Sequence, residues 1–311
     1  MPSPTNKPFA VSLAILASIL WASYFPFVLY FSSGQYGILL AMPFLFGGLP
    51  FFALTLIGSR AAARKSIALM ANPTMIICAV LLVALQLDVI LSTEWAGAVP
   101  TSLFSLLGDI AMIPLMNYAI FGEGGERLRY PLFGTGVVVA GIGAATVVLG
   151  GNSSLGLSWA WLITLPIPFL VGGYYLEVAR LTNTEPIDCT VSSITLLAFI
   201  MSFAGAFLVL GTGWIAAESF SVGEYGLLAL IGLTTFFLGP WAFFVASRRL
   251  TVVIPAVINA TIPIFTTVFV VVLFHYSLNF AIYVGVPLAF VGSAFALLDP
   301  PTKVARATSR S

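Results

Sequence analysis

Residues 99–123 read VPTSLFSLLGDIAMIPLMNYAIFGE, and a second run, residues 254–277, reads IPAVINATIPIFTTVFVVVLFHYS. Each is an apolar span with two prolines and a polar residue inside it. A proline within a helix removes an N–H donor and costs about 3 kcal/mol in water. In a bilayer it is tolerated where neighbouring groups or a cavity satisfy the freed carbonyls. Paired prolines (Pro100 and Pro114, Pro255 and Pro263) therefore point to broken helices around a cavity, with these four residues, Gly239 and Pro240 as candidate hinges. The first run also carries Asp109 near its middle, where a carboxylate is expensive and is retained for a partner or a pathway.

The whole chain fits that reading. Of its 311 residues 60% are hydrophobic and 7% charged, with mean hydropathy +1.08, against about 25% charged in a soluble domain. It reads as an all-α polytopic membrane protein. The net charge of +1 comes from scattered basic residues, which argues against nucleic acid as a partner. Cys78 and Cys189 fit no metal or disulfide spacing, so core packing is expected and neither metal nor cofactor is called for. Lys7 followed by an apolar run superficially resembles a signal peptide, but residues 9–31 are too long for one.

Ten apolar stretches approach the length of a span: residues 9–31, 36–58, 73–93, 97–121, 130–150, 157–179, 189–211, 224–247, 253–274 and 279–298. Cytoplasmic loops are enriched in Lys and Arg. With the N-terminus inside, all twelve basic residues fall on the cytoplasmic side, so both termini are expected there. Glu94, Glu218 and Glu224 fall outside, as does the sequon at Asn152. The loops are too short for a soluble domain, so function must sit within the membrane.

The fifth stretch, LFGTGVVVAGIGAATVVL, and the tenth, IYVGVPLAFVGSAFALL, share a glycine spacing that aligns Gly134 with Gly285 and Gly141 with Gly292. Upstream, Pro100 aligns with Pro255, which sets Asp109 near Ile264, and Tyr24 aligns more weakly with Tyr175. Ten spans divide into two fives, residues 1–154 and 155–311. Five is odd, so the second unit enters from the opposite side, giving two inverted five-helix repeats, the symmetry from which alternating access follows.

With Leu20-Trp21-Ala22-Ser23 in the first span, Ile120-Phe121-Gly122-Glu123 ending the fourth and the Gly-rich fifth, the chain resembles the drug/metabolite transporter superfamily, in its EamA-like branch of ten-helix carriers. The resemblance implies a basket-like bundle with a cavity lined chiefly by the third, fourth, eighth and ninth helices. It also implies members that export amino acids, metabolites or toxic compounds. One departure is that His275-Tyr276-Ser277 stands where the first repeat has Phe121-Gly122-Glu123.

Asp109 is the first site candidate, able to bind a substrate ammonium or to take up a proton in each cycle; the structural alternative is an acid hydrogen-bonded to Asn117 or Asn259. Asn259 poses the same problem in milder form, a buried amide between Pro255 and Pro263 with an interhelical bond or a cavity role open to it. Asp88, with Gln86 nearby, and His275, the only histidine, are further proton-coupling candidates, against bland readings as a snorkelling acid and a solvated loop histidine. Trp21, Tyr24, Tyr175 and Trp241 are aromatic cavity candidates able to stack on a solute, with Pro26 expected to open the first helix beside them. Glu177 with Arg180, three residues on, reads as an ion pair, as does Glu123 with Arg127. The stripes Gly136/Ala140/Ala144 and Gly285/Ala289/Ser293 suit either a homodimer face or packing inside one subunit.

A secondary carrier is therefore expected, exporting small metabolites such as amino acids or drug-like compounds from a bacterial inner membrane. The alternatives are an uptake carrier for a sugar or nucleotide-type metabolite, or a non-transporting sensor or assembly protein. The chain lacks a Walker loop, a zinc-protease helix and a Gly-x-Ser-x-Gly elbow, so ATP hydrolysis or intramembrane enzyme chemistry is not expected.

Overall fold

A computed structural model of the chain describes residues 7–31, 36–122, 125–150, 163–210, 220–250, 253–275 and 277–298. The repeat boundary at 154 and 155, the sequon, Glu123 and Glu218 lie outside them. Within them every regular element is helical. In chain order these are α1 (Lys7–Tyr30), α2 (Tyr36–Gly58), α3 (Arg60–Leu69), α4 (Pro73–Ala96) and α5 (Ala98–Leu107). A π-turn (Gly108–Met112) joins α5 to α6 (Ile113–Phe121), followed by α7 (Gly125–Leu128) and α8 (Pro131–Gly150). The second half holds α9 (Ile167–Thr184), α10 (Ile187–Leu210), α11 (Val222–Ile231), a second π-turn (Gly232–Leu238) and α12 (Gly239–Leu250). It ends with α13 (Val253–Ile258), a 3₁₀ turn (Asn259–Thr261), α14 (Ile262–Phe274) and α15 (Phe280–Leu297).

Seven helices among the described residues are long and apolar enough to cross a membrane, counting α5 with α6 and α11 with α12 as continuous rods. The protein is an integral membrane protein. Three of the ten stretches read from the sequence fall short of that standard for local reasons. Residues before 163 lie outside the described segment of the sixth, the 3₁₀ turn interrupts the ninth, and α15 is shorter. The loop after α2 is a further correction, because it forms α3, RAAARKSIAL. Ala and Arg favour helix, and the Ser59 side chain accepts from the Ala62 N–H at 3.0 Å, capping it. Pro26 does not open α1, which runs unbroken through it.

The two halves are joined most intimately at α8 and α15. A Cβ on Gly143 would stand 2.6 Å from the Gly285 carbonyl oxygen, and one on Gly136 would meet the backbone of Gly292 and Ala296. Gly285 and Gly292 meet Gly143 and Gly136 in return. Such reciprocal glycines let two backbones touch without side chains between them. The small-residue stripe is thus spent inside one subunit. Gly134 and Gly141, the α8 glycines aligned with Gly285 and Gly292, face open space, and the α8 glycines that pack against α15 lie two residues further on. The interval from Gly136 to Gly285 equals those from Gly143 to Gly292 and from Pro114 to Pro263.

Basic side chains gather at one end of the bundle. Lys65 pairs with Glu185 at 2.5 Å, a bond that raises the lysine pKa above its ordinary value. Arg248 donates from Nε to the Thr182 carbonyl at 2.7 Å and also reaches the Glu185 carbonyl at the end of α9, where a cation suits the helix dipole. Arg249 lies over Phe9 at 5.2 Å. Arg180 lies 3.1 Å from the Phe121 ring centroid, so the ion pair expected with Glu177 is not the contact it makes. At the same end Ser66 and Ser193 join α3 to α10 at 3.2 Å, and both cysteines are buried.

Gly143→Ala is expected to destabilise the protein by about 1–3 kcal/mol, the usual cost of overpacking, whereas Gly141→Ala is expected to be neutral within about 0.5 kcal/mol. Thermal unfolding of the two variants in detergent checks the register.

Candidate functional site

Three prolines build the centre. In an α-helix the N–H of residue i+4 satisfies carbonyl i; in a π-turn the donor comes from i+5. At the first π-turn the Ile113 N–H donates to the Gly108 carbonyl. The next donor in that ladder would be residue 114, a proline without an N–H, and the carbonyl left over belongs to Asp109. At the second, the Gly239 N–H donates to the Thr234 carbonyl, and the next donor would be Pro240, which leaves the Thr235 carbonyl. In the ninth span Pro263 deprives the Asn259 carbonyl, and a 3₁₀ bond from the Ile262 N–H satisfies it instead. Asp109, Thr235 and Asn259 thus occupy equivalent places before three helix-breaking prolines.

All three line one cavity of about 50 Å³. Trp21, Tyr24 and Phe25 of α1 face it, with Leu82, Leu85, Gln86 and Val89 of α4 and Ser105 of α5. Val171, Tyr174 and Tyr175 of α9 close the opposite side, with Phe236, Pro240 and Ile262. Asp109 and Asn259 are 3% and 0% exposed and close enough to interact. Yet Oδ1 of Asp109 and Nδ2 of Asn259 each lack a well-formed hydrogen bond, as do Oε1 of Gln86 and Oγ1 of Thr235. Ser18 Oγ donates to Asn259 Oδ1 at 2.9 Å, which turns the amide nitrogen away from α1.

Trp21 has a structural duty that the sequence did not announce. Its indole Nε1 donates to the Thr235 carbonyl at 2.9 Å, the acceptor that Pro240 leaves open. A Cβ at residue 239 would stand 2.7 Å from that nitrogen, which accounts for Gly239 beside the proline. The Trp21 ring also lies 5.2 Å from those of Tyr175 and Phe243, which are themselves 5.2 Å apart. This three-ring cluster closes the cavity toward the basic end. At the other end Phe25 and Val89 of the cavity lie within a turn of Val28 and Ile90, which line a small cavity of about 90 Å³ with Leu29 and Glu94. Leu29 and Glu94 also border a larger vestibule of about 460 Å³, whose wall includes Pro100 and Asn279.

The structure therefore brings Asp109, Asn259, Trp21, Tyr24, Tyr175 and Pro240 together, and leaves other candidates elsewhere. Trp241 is 37% exposed and does not line the cavity. Pro100 and Pro255 lie in the first turns of α5 and α13, where no helical N–H is missed. Asp88 accepts from Ser92 at 3.4 Å and does not line the cavity. His275 is exposed and ends α14 in a left-handed conformation. Gln86, Ser105 and Thr235 were missed as site residues. For Thr235 a signal existed, since it precedes Pro240 by the same five residues that separate Asp109 from Pro114.

A membrane-crossing helical bundle with a polar cavity among broken helices is the class of protein that this geometry defines. Residues 187–298 match the sequence model of the EamA-like transporter family, which supports, from the second half of the chain, the resemblance to the drug/metabolite transporter superfamily. That family implies a membrane transporter. Comparison with curated proteins gives no match. Among solved structures, one titled only "Crystal structure of protein" shares the fold with a TM-score of 0.68 at 18% identity, over 93% of this chain and 96% of its own.

Trp21→Phe is expected to cost about 1–3 kcal/mol, because it leaves the Thr235 carbonyl unpaired. The cost should shrink in a Pro240→Ala background, where the backbone N–H returns. A double-mutant cycle of unfolding free energies reads the difference.

Proposed function

We propose that the protein is a secondary carrier that moves a small solute through the central cavity by alternating access, in the direction of export. The observation that carries this reading is the placement of Asp109 and Asn259, two buried and incompletely bonded polar groups, at helix breaks facing one another inside a membrane-spanning bundle. Broken helices around a mid-membrane site are the usual build of secondary transporters.

The equal intervals separating Pro114 from Pro263 and the paired glycines of α8 and α15 support two inverted five-helix repeats. A π-turn carries one more residue than the α-helical path. Allowing for that residue, Asp109 corresponds to Asn259 rather than to Ile264, so the two would be symmetry mates across the cavity. The gathering of Lys65, Arg180, Arg248 and Arg249 at one end supports a cytoplasmic basic face with both termini on that side, in a bacterial inner membrane. The carrier would work as a single subunit or as a homodimer. Its small cavity, closed by rings toward the basic end and by about one apolar turn toward the vestibule, suits an occluded state leaning outward.

Asp109 is the one carboxylate in the cavity wall and is our candidate for proton coupling. In proteoliposomes of the purified protein, Asp109→Asn is expected to abolish solute flux driven by a pH gradient. Unchanged pH-driven flux would remove the proton role, and absence of solute flux with the unaltered protein across a panel of amino acids, amines, sugars and nucleosides would favour a sensor or assembly role.

A further inference from the structure

We propose that the central cavity is selective for organic cations: it takes the protonated nitrogen of an amine at Asp109, with the solute's apolar body against the surrounding rings. The inference rests on the carrier reading and adds the substrate class. Its first support is the balance of charge in the wall. Among the described lining residues Asp109 is the only carboxyl group, and none is Lys, Arg or His. A carboxylate that is 3% exposed and has no cation beside it is a costly arrangement that a positive ligand relieves.

The second support is the inventory of unmet hydrogen bonds. Two acceptor-only atoms in the wall are buried without a partner, Oδ1 of Asp109 and Oε1 of Gln86, together with the Thr235 hydroxyl, which can accept or donate. Against them Nδ2 of Asn259 is the one donor-only atom without a partner. An ammonium has donors and no acceptor, so it complements the first group. A solute carboxylate would have only that amide and the Thr235 hydroxyl among the unmet donors, while lying near a like charge.

The third support is shape. A space of about 50 Å³ admits a head group about the size of water, not a whole metabolite. The rings of Tyr24 and Phe236, packed edge to face at 5.8 Å, border that space and supply aromatic surface to which a cation is attracted. The rest of the solute would need the apolar turn at Phe25 and Val89, which separates this space from the vestibule, to move aside.

The test uses four probes with one benzene ring and differing charge: phenethylamine, phenylacetate, L-phenylalanine and 2-phenylethanol. Each is titrated against the purified protein by thermal stabilisation at neutral pH. Phenethylamine is expected to stabilise the protein at concentrations at least about tenfold lower than the other three, a difference that Asp109→Asn removes. Equal or tighter binding of phenylacetate or phenylalanine, or phenethylamine binding unaltered in Asp109→Asn, would overturn the inference. Equal stabilisation by sodium chloride alone would reassign the site to a metal cation and overturn it too. Should Asp109→Asn not fold, Gln86→Leu carries the test: amine binding several-fold weaker is expected, and unchanged binding counts against the proposal.

Flux of each probe into proteoliposomes, corrected for empty vesicles, separates the two levels of the account. Amine binding without amine flux keeps the cation site and overturns the carrier reading. Flux of an anionic or zwitterionic probe without amine binding keeps the carrier and overturns the cation site.

Discussion

A proline has no N–H to give, and in hydrocarbon a carbonyl without a donor has no water to turn to. Pro114, Pro240 and Pro263 each impose that constraint on a different span, and the centre of the bundle can be understood as the set of answers. One span widens into a π-turn, and the indole of Trp21 crosses from another helix to satisfy the carbonyl that the proline at 240 strands. A further span tightens into a 3₁₀ turn. The polar residues Asp109, Thr235 and Asn259 sit just ahead of these breaks. The cavity forms where regular helix packing fails in three places at once.

Close packing supports the breaks. Gly108 lies against Val171 and the Pro168 carbonyl, and Gly172 against Met112, so the first π-turn is seated on α9 with little between the backbones. Gly232 and Gly47 do the same for the second π-turn and α2. Without a hydrophobic driving force between helices in lipid, such contacts and a few interhelical hydrogen bonds hold the bundle. The Thr266 hydroxyl on the Ala22 carbonyl at 3.3 Å and Ser18 on Asn259 are examples at α1. Stability and site geometry therefore share residues, and Trp21 belongs to both.

Much of this was legible in the sequence, and the reason is physical. Helices in a bilayer announce themselves through long apolar runs, and intramembrane carboxylates and prolines are costly enough to be informative wherever they occur. Asp109, Asn259, Trp21, Tyr24 and Tyr175 could be picked on those grounds. Trp241 looked equivalent to Trp21 because one-dimensional spacing does not say which side of an aromatic-rich helix faces inward. Which glycines of α8 meet α15 was not legible for a related reason: Gly134 and Gly136 are indistinguishable until the facing helix is known. The π-turns cannot be read from hydropathy, although a polar residue five before a proline proved to mark both. Helix α3 was read as a loop because its charges hid a capped, Ala-rich segment.

The central claim is that one site inside the bundle is exposed to each side in turn. Ser105 lines the cavity beside Asp109, and the native cysteines are buried, so a Ser105→Cys variant with Cys78 and Cys189 replaced by Ala offers a single reporter. Membrane-impermeant thiol reagents applied separately to right-side-out and inside-out vesicles ask which faces reach it. The account predicts labelling from both sides. Labelling from one side only, or from neither, while the variant remains folded, would contradict it.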